Sequence, residues 1–371
     1  MESPECSGSL ESLESRKIPQ ILQILQILQI LQTLQTLQIL QTYLMNQNAG
    51  IIGMGHAYPS GILTNADLEK IVDTSDEWIT TRTGIKQRHK AADNEYTSQF
   101  AVTAANLALE RAGLKPEDID IILCATTTPD QIMPSTGALV QAQIGATNAA
   151  GMDVFAACSG FLYGITMVES MIRTGQIKHA LVIGAEVLTK YVDYTDRSTC
   201  VIFGDGAGAA VLAPVAPGKG VLATKIRSDG RFAEQLYAPG GGTRLGTTHQ
   251  TIDNRDHFFK MKGNELFKIA VRSMAEISKE ILDQAGYTVD DVDLVIPHQA
   301  NQRITDAVAS RLNVPEEKVY SNIAEHGNTS SASIPIALDE CLQSGKIKEG
   351  SLVLLTAFGG GVTWGGTLVR F

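Results

Sequence analysis

Cysteine is scarce and unpaired in this chain: Cys6, Cys124, Cys158, Cys200 and Cys341 are an odd set, with no C-x-x-C. That spacing argues against a disulfide framework and a metal site, and it favours a reducing, cytoplasmic compartment. Positive charge is also short, 30 Lys and Arg against 40 Asp and Glu, so bulk electrostatics oppose general nucleic-acid binding. Long, purely apolar runs are missing too. The most repetitive stretch, Ile21–Gln41, carries a glutamine in every triplet and is too polar for an easy membrane span. What remains is 44% hydrophobic over 371 residues, enough core for two domains or one large duplicated one.

The Ile-Leu-Gln triplets set residues 1–44 apart. A period of three matches neither 3.6 nor 3.5, so on a helix the leucine stripe winds around the axis. We read 1–44 as a low-complexity extension, disordered or not native, with Met45 as the natural start; a self-associating helix is the alternative.

The remainder contains an internal repeat. "RAGLKPEDIDIILCATT" (Arg111–Thr127) and "QAGYTVDDVDLVIPHQA" (Gln284–Ala300) share an Ala-Gly pair and two aspartates, each followed by an apolar run. Each copy follows a helical pattern, clearest in Phe267, Ala270, Met274, Ile277 and Ile281. Helix, Gly turn, acidic turn and buried strand make an α/β unit, and the offset is about half the chain after Met45. This predicts a duplicated α/β fold with halves at 45–220 and 221–371. Further strands are expected in "HALVIGAEVL", "AAVLAPV" and "SLVLLTAF", and a strand-like run in "KVYSNI".

Three polar groups fall where strand patterns end, the usual ligand edge of an α/β sheet. In "DVFAACSGFLYG" (Asp153–Gly164), Phe161, Leu162, Ile165 and Val168 mark a helical face, so Cys158 sits at its first turn. There the helix N-terminus would lower the thiol pKa; the other reading is a core thiol. His298, in "LVIPHQANQR", is either a proton-exchanging group or a strand-end histidine bonded to backbone. Asn328, in "EHGNTSSASIP", is either a neutral donor or a turn residue. "FGDGAGAAVL" resembles a dinucleotide loop, but the strand-type run after it argues against one. "AFGGGVTWGG" is a hairpin turn or a source of a backbone N–H for an oxyanion.

Taken together, "DVFAACSGFLYG", "PHQAN", "HGNTSSAS", "FGDGAGAAVL" and "FGGGVTWG", spread between Met45 and Phe371, resemble the β-ketoacyl-acyl carrier protein synthase III family. These are the initiating condensing enzymes of type II fatty acid synthesis. The resemblance implies a thiolase-like, five-layered αβαβα fold with duplicated halves, and a homodimer. It implies that Cys158 takes an acyl group, most simply acetyl, from acyl-coenzyme A. Malonyl-acyl carrier protein then loses carbon dioxide, His298 and Asn328 stabilise the enolate, and the N–H groups of Cys158 and Gly360 hold the tetrahedral oxyanion. No metal or redox cofactor is implied.

By the same resemblance Thr74, Trp78, Arg82, Arg197, Gly263 and Asn264 match coenzyme A positions, Phe358 an aromatic beside the cysteine, and Met133 a residue shaping the acyl pocket across the dimer interface. Trp78 and Arg82 lie four apart and share a face if their segment is helical. Lys268 and Arg303 match docking positions for the acidic carrier protein, while a following basic pair is kept only partly, as Ser310–Arg311. Competing readings are a related condensing enzyme of quinolone or polyketide type, a non-catalytic acyl-coenzyme A-binding member and a self-assembling protein led by the triplet repeat.

Overall fold

The computed structural model describes residues 22–23, 25–37 and 47–371. From Asn48 to Phe371 it is one compact unit built on two sheets. The first contains β1 (Asn48–Ala57), β2 (Ile121–Ala125), β3 (Ala150–Val154), β4 (Ala180–Glu186) and β5 (Gly206–Val215), in the order β1-β5-β4-β2-β3. The second contains β6 (Gly220–Ser228), β7 (Leu294–Pro297), β8 (Leu352–Gly359) and β9 (Thr363–Arg370), in the order β7-β8-β9-β6. The pairings correspond. β2 runs parallel to β4 as β7 does to β8, and the next two pairings are antiparallel in both sheets.

Helices complete five layers. Among those near the site and the core, α1 (Asp76–Thr83) stands at the site's edge. α2 (Thr97–Ala112) and α3 (Thr136–Ile144) pack on the first sheet, and α5 (Gly263–Ala285) on the second with α6 (Gln302–Leu312) beside it. Between the sheets lie α4 (Gly160–Arg173) and α7 (Ser333–Gln343). Leu162, Ile165 and Val168 of α4 pack in one cluster with Leu123 and Val182 from the first sheet and Leu355 and Val369 from the second. Each such buried side chain stabilises the central layer by about 1.5–3 kcal/mol. On the outer face, Ala101, Ala104, Ala105 and Ala108 of α2, with Phe100 and Leu109, cluster with Ile122, Leu181 and Val211, and a side chain at Gly53 or Gly55 would run into the helix backbone. This is the expected αβαβα arrangement.

The repeat is structural in detail. α2 and α5 end on left-handed glycines, Gly113 (φ 67°) and Gly286 (φ 75°), a conformation that costs glycine least. Asp118 then accepts the Lys115 N–H at 2.9 Å, as Asp291 accepts the Thr288 N–H at 2.8 Å. Asp120 accepts from the N–H groups of Lys178 and His179 at 2.7 and 2.9 Å, and Asp293 from Leu352 N–H at 2.7 Å. Both aspartates therefore tie the start of one strand to its parallel neighbour.

One expected strand is reduced. In "KVYSNI" only Val319 bridges, to Val295, because the chain turns at once into the short helix Ile323–His326. The 220/221 boundary falls at the start of β6, the first strand of the second sheet in chain order, and the shared central layer makes the halves inseparable bodies. Of the 1–44 extension, residues 25–37 are helical, as leucine, isoleucine and glutamine without glycine or proline allow, and their leucines and isoleucines are exposed. The rest of it, apart from 22–23, lies outside the described residues, as does Cys6. No helix among the described residues is long and apolar enough to cross a membrane.

Candidate active site

The two halves meet around a cavity of about 120 Å³ whose lining includes Cys158, His298, Asn328, Phe358, Gly359 and Gly360. The first half contributes the cysteine. β3 leads into a 3-10 turn, Ala157–Ser159, and α4 starts only at Gly160, so Cys158 precedes the helix instead of lying in its first turn. Ala157 takes a left-handed φ of 46°, a costly state for alanine. Side chains hold the turn: Ser159 Oγ donates to Thr363 Oγ1 at 2.6 Å, and Thr363 Oγ1 donates to the Ala156 carbonyl at 2.7 Å. Thr363 starts β9, so the β8–β9 hairpin is clamped against the cysteine. A Cβ at Gly359 would lie 2.7 Å from the Cys158 nitrogen, so glycine is required for that approach. "FGGGVTWG" is thus a hairpin turn that brings Gly360 into the cavity lining with Cys158.

The thiol departs from expectation. Its position at a helix start predicts a lowered pKa; burial instead pushes Cys158 up to about 12. The Ser330 hydroxyl and the N–H groups of Cys158 and Gly360 pull the other way, and the charge of Glu186 adds to the rise. Desolvation of a thiolate wins because Cys158 is only 7% exposed.

The second half contributes the polar partners. His298 directly follows β7, its N–H donating to the Thr356 carbonyl of β8 at 2.8 Å. Its Nδ1 meets Ser333 Oγ at 2.7 Å, which leaves Nε2 for the cavity. Burial lowers its pKa to about 3, so the imidazole is neutral near pH 7. Asn328 is pinned by its backbone: its N–H donates to Ile202 O at 2.9 Å and its carbonyl accepts from Gly204 at 3.0 Å. Its Oδ1 accepts the Ser330 N–H at 2.8 Å. That bond orients the amide, with Nδ2 left to donate.

Around this centre the other residues separate. Trp78 and Arg82 do share a face of α1, and Trp78 has two guanidinium groups over its ring, Arg82 at 5.7 Å and Arg197 at 5.0 Å. The Thr74 hydroxyl is buried without a partner. Gly263 lines the cavity and Asn264 follows it, exposed, in the first turn of α5. Lys268 and Arg303 are exposed beside the lining residues Phe267 and Ile304; Lys268 Nζ is 3.5 Å from Glu265 and Arg303 lies over the Phe267 ring at 5.7 Å. Phe358 lines the cavity, whereas Met133 is 82% exposed and outside that lining.

Sequence reasoning missed Ser330, Ser333 and Glu186. The serines stood inside "HGNTSSAS" with no feature to rank them. Glu186 had a signal: the single charge in the apolar run "HALVIGAEVL".

Comparisons with known proteins identify the family and the fold. Residues 152–230 match the family model 3-oxoacyl-[acyl-carrier-protein] synthase III, and residues 282–371 match its C-terminal model. A β-ketoacyl-[acyl-carrier-protein] synthase III of Aquifex aeolicus is 51% identical over 321 residues, 86% of this chain and 99% of that protein. One from Caldanaerobacter subterraneus is 49% identical over 323 residues, 87% of this chain and 98% of that protein. The crystal structure of the Aquifex aeolicus synthase superposes with a TM-score of 0.81, covering 87% of this chain and 100% of that one. That of Pseudomonas aeruginosa, 39% identical, gives 0.81 over 87% and 98%. The chain therefore belongs to the β-ketoacyl-[acyl-carrier-protein] synthase III family, and it is an acyltransferase of the condensing type with the thiolase-like fold.

Proposed function

We propose that the chain joins an acyl-coenzyme A primer, acetyl in the simplest case, to malonyl-acyl carrier protein, giving β-ketoacyl-carrier protein and carbon dioxide. The observation that carries this reading is the convergence of Cys158, His298 and Asn328 on one cavity. The Cys158 thiolate attacks the primer carbonyl, the carbon–sulfur bond to coenzyme A breaks, and the acyl group stays on Cys158 as a thioester. The N–H groups of Cys158 and Gly360 hold the oxyanion of that addition.

Malonyl-carrier protein then loses carbon dioxide, and its thioester oxygen takes up the enolate charge. Asn328 Nδ2 donates to that oxygen, as does His298 Nε2 when Ser333 donates to Nδ1 and so places the ring proton on Nε2. A neutral imidazole with a depressed pKa suits donation in this step. The enolate carbon attacks the acyl carbonyl and the cysteine leaves as thiolate. The reaction uses the coenzyme A thioester as a substrate and needs no resident cofactor.

Trp78 stacks the adenine while Arg82 and Arg197 meet phosphate, with Thr74, Gly263 and Asn264 completing the coenzyme site. Lys268 and Arg303, at the mouth, receive the acidic carrier protein. A second copy of the chain pairs along β3, a sheet edge beside the exposed side chains of Met152 (41%), Phe155 (77%), Ile132 (93%) and Met133 (82%). In that homodimer Met133 reaches the partner's acyl pocket. The enzyme works in the cytoplasm.

Incubating the protein with acetyl-coenzyme A and mapping peptides by mass spectrometry tests the reading. An acetyl group on Cys158, discharged by malonyl-carrier protein, is the expected result. Absence of acylation with acetyl, branched and longer primers alike would refute it.

A further inference from the structure

In the proposed chemistry two donors have to meet on one thioester oxygen, and they come from different places in the chain. His298 leaves the end of β7, and Asn328 follows the short helix Ile323–His326. The backbone of Asn328 is bonded to Ile202 and Gly204, in the first half, and those bonds do not fix its distance from His298. After Asn328 the chain returns to the histidine through Ser333 Oγ, 2.7 Å from its Nδ1. Before Asn328 the return is made by Gln299, which has no part in the proposed chemistry.

Gln299 is 1% exposed, and both ends of its amide have protein partners. Nε2 donates to the Pro297 carbonyl of β7 at 2.7 Å and to the Tyr320 carbonyl at 3.3 Å. Oε1 accepts the Asn322 N–H at 3.1 Å. A flipped amide would set its oxygen against two carbonyls, so these partners fix its orientation. Asn322 in turn caps the short helix, its carbonyl accepting the Glu325 and His326 N–H groups at 3.2 and 3.3 Å. Glu340 on α7 holds the same turn from the other side. It accepts from Asn322 Nδ2 at 2.7 Å and from His326 Nε2 at 2.8 Å. Tyr58, which also donates to Glu340, stacks on the His326 ring at 4.5 Å. Gln299, Asn322 and Glu340 thus form a continuous hydrogen-bonded strut along the turn that delivers Asn328.

We propose that Gln299, with Glu340 at the far end of the turn, is a positioning residue that sets the Asn328 amide against His298 Nε2. Neither Gln299 nor Glu340 lines the cavity. With its nitrogen Gln299 grips the end of the histidine's strand, and with its oxygen it grips the entry to the Asn328 turn. The separation of the two donors therefore follows from the length of one amide. His298 has bonds of its own, to the Thr356 carbonyl and to Ser333 Oγ, which do not involve Gln299. Loss of the Gln299 amide falls on Asn328, and so on the enolate step that needs both donors.

The inference rests on the proposed condensation. Its test uses the full chain and malonyl-acyl carrier protein without primer, with carbon dioxide release as the readout. Gln299→Met keeps the side-chain volume and loses all three hydrogen bonds. It should slow decarboxylation by about tenfold, since a small misplacement of a reacting group is costly. Acylation of Cys158 by the primer should stay within about twofold of wild type, a split that general loosening of the fold would not give. The double variant is decisive. In an Asn328→Ala background Gln299→Met should change decarboxylation by less than about twofold, because the group it positions is gone. Equal losses in acylation and decarboxylation, or an undiminished loss in the Asn328→Ala background, would overturn the inference and leave Gln299 a packing residue. If Gln299→Met does not fold, Glu340→Gln replaces it in the same cycle, since its amide nitrogen cannot accept from the donors that now meet two carboxylate oxygens. A wild-type chain that no primer acylates and that releases no carbon dioxide would refute the condensation and the inference together. An additive loss in an active chain refutes the inference alone.

Discussion

Two turns at the centre of the molecule are copies of each other put to different uses. In the first half the chain passes through Ala157, in a left-handed conformation, and a 3-10 turn into α4. In the second it passes through Ser330, also left-handed, and a 3-10 turn, Ser330–Ala332, into α7. Alignment on these turns sets Cys158 against Ser331. Cys158 faces the cavity, while the Ser331 hydroxyl is spent on the Ala125 carbonyl. Duplication gave two equivalent helix starts. One presents a thiol to the cavity, and the other follows directly on Asn328 and carries Ser330, whose N–H fixes the Asn328 amide.

Exchanging the two side chains is the strongest way to break that comparison. Cys158→Ser should abolish detectable acylation in the mass-spectrometric assay, since a serine hydroxyl ionises far less readily than a thiol and is a far weaker nucleophile. Adding Ser331→Cys should not restore it. Acylation of residue 331 would show the two turns to be interchangeable.

Removing a donor from the second half sharpens the contrast less drastically. Asn328→Ala should slow decarboxylation of malonyl-carrier protein by about 10²–10³-fold, the usual cost of one oxyanion donor. Acylation of Cys158, measured separately, should persist.

The two central helices also differ in their carboxylates. On α4, Glu169 accepts from Arg173 at 3.1 Å and from the Ser170 hydroxyl at 3.3 Å. On α7, Glu340 accepts from Tyr58, Tyr320, Asn322 and His326 at 2.7–2.9 Å. Burial would raise the Glu340 pKa, yet these donors, His326 foremost, hold it down to about 2 against an ordinary 4.5. A depressed carboxylate stabilises the fold fully above its unfolded value and loses that contribution as pH falls from about 4.5 toward about 2. The melting temperature should drop across that window, and Glu340→Gln, less stable at neutral pH, should show a smaller drop. Equal slopes would remove Glu340 as the cause.

The repeated aspartates give the smallest effect. Asp120→Ala forfeits two backbone hydrogen bonds to the neighbouring strand and Asp293→Ala one, each worth about 1 kcal/mol. Thermal melts should rank Asp120→Ala below Asp293→Ala. The reverse order would mean that the two copies carry unequal loads for another reason.

The architecture was legible because its signals are local and periodic: the alternating helix and strand units, the Gly turns and the paired aspartates all act within a few residues of themselves. The positions of Cys158, His298, Asn328 and Gly360 were legible through motifs. What escaped depended on contacts far apart in sequence. The raised Cys158 pKa comes from burial that no single segment reveals. The value of Ser330 and Ser333 lies in their reach to Glu186 and His298, and nothing in "NTSSAS" distinguishes one serine from another. The expected strand at "KVYSNI" failed because turn formation after Val319 outcompeted β propensity.

The clamp of the β8–β9 hairpin on Cys158 has a consequence for how the protein comes into being. A ribosome delivers the cysteine long before it delivers Gly359, Gly360 and Thr363. Until those residues emerge and dock, the thiol lacks the wall that shapes its turn. The turn around Cys158 is therefore completed late in synthesis, and a nascent chain stalled before the hairpin carries the cysteine without the clamp that holds it.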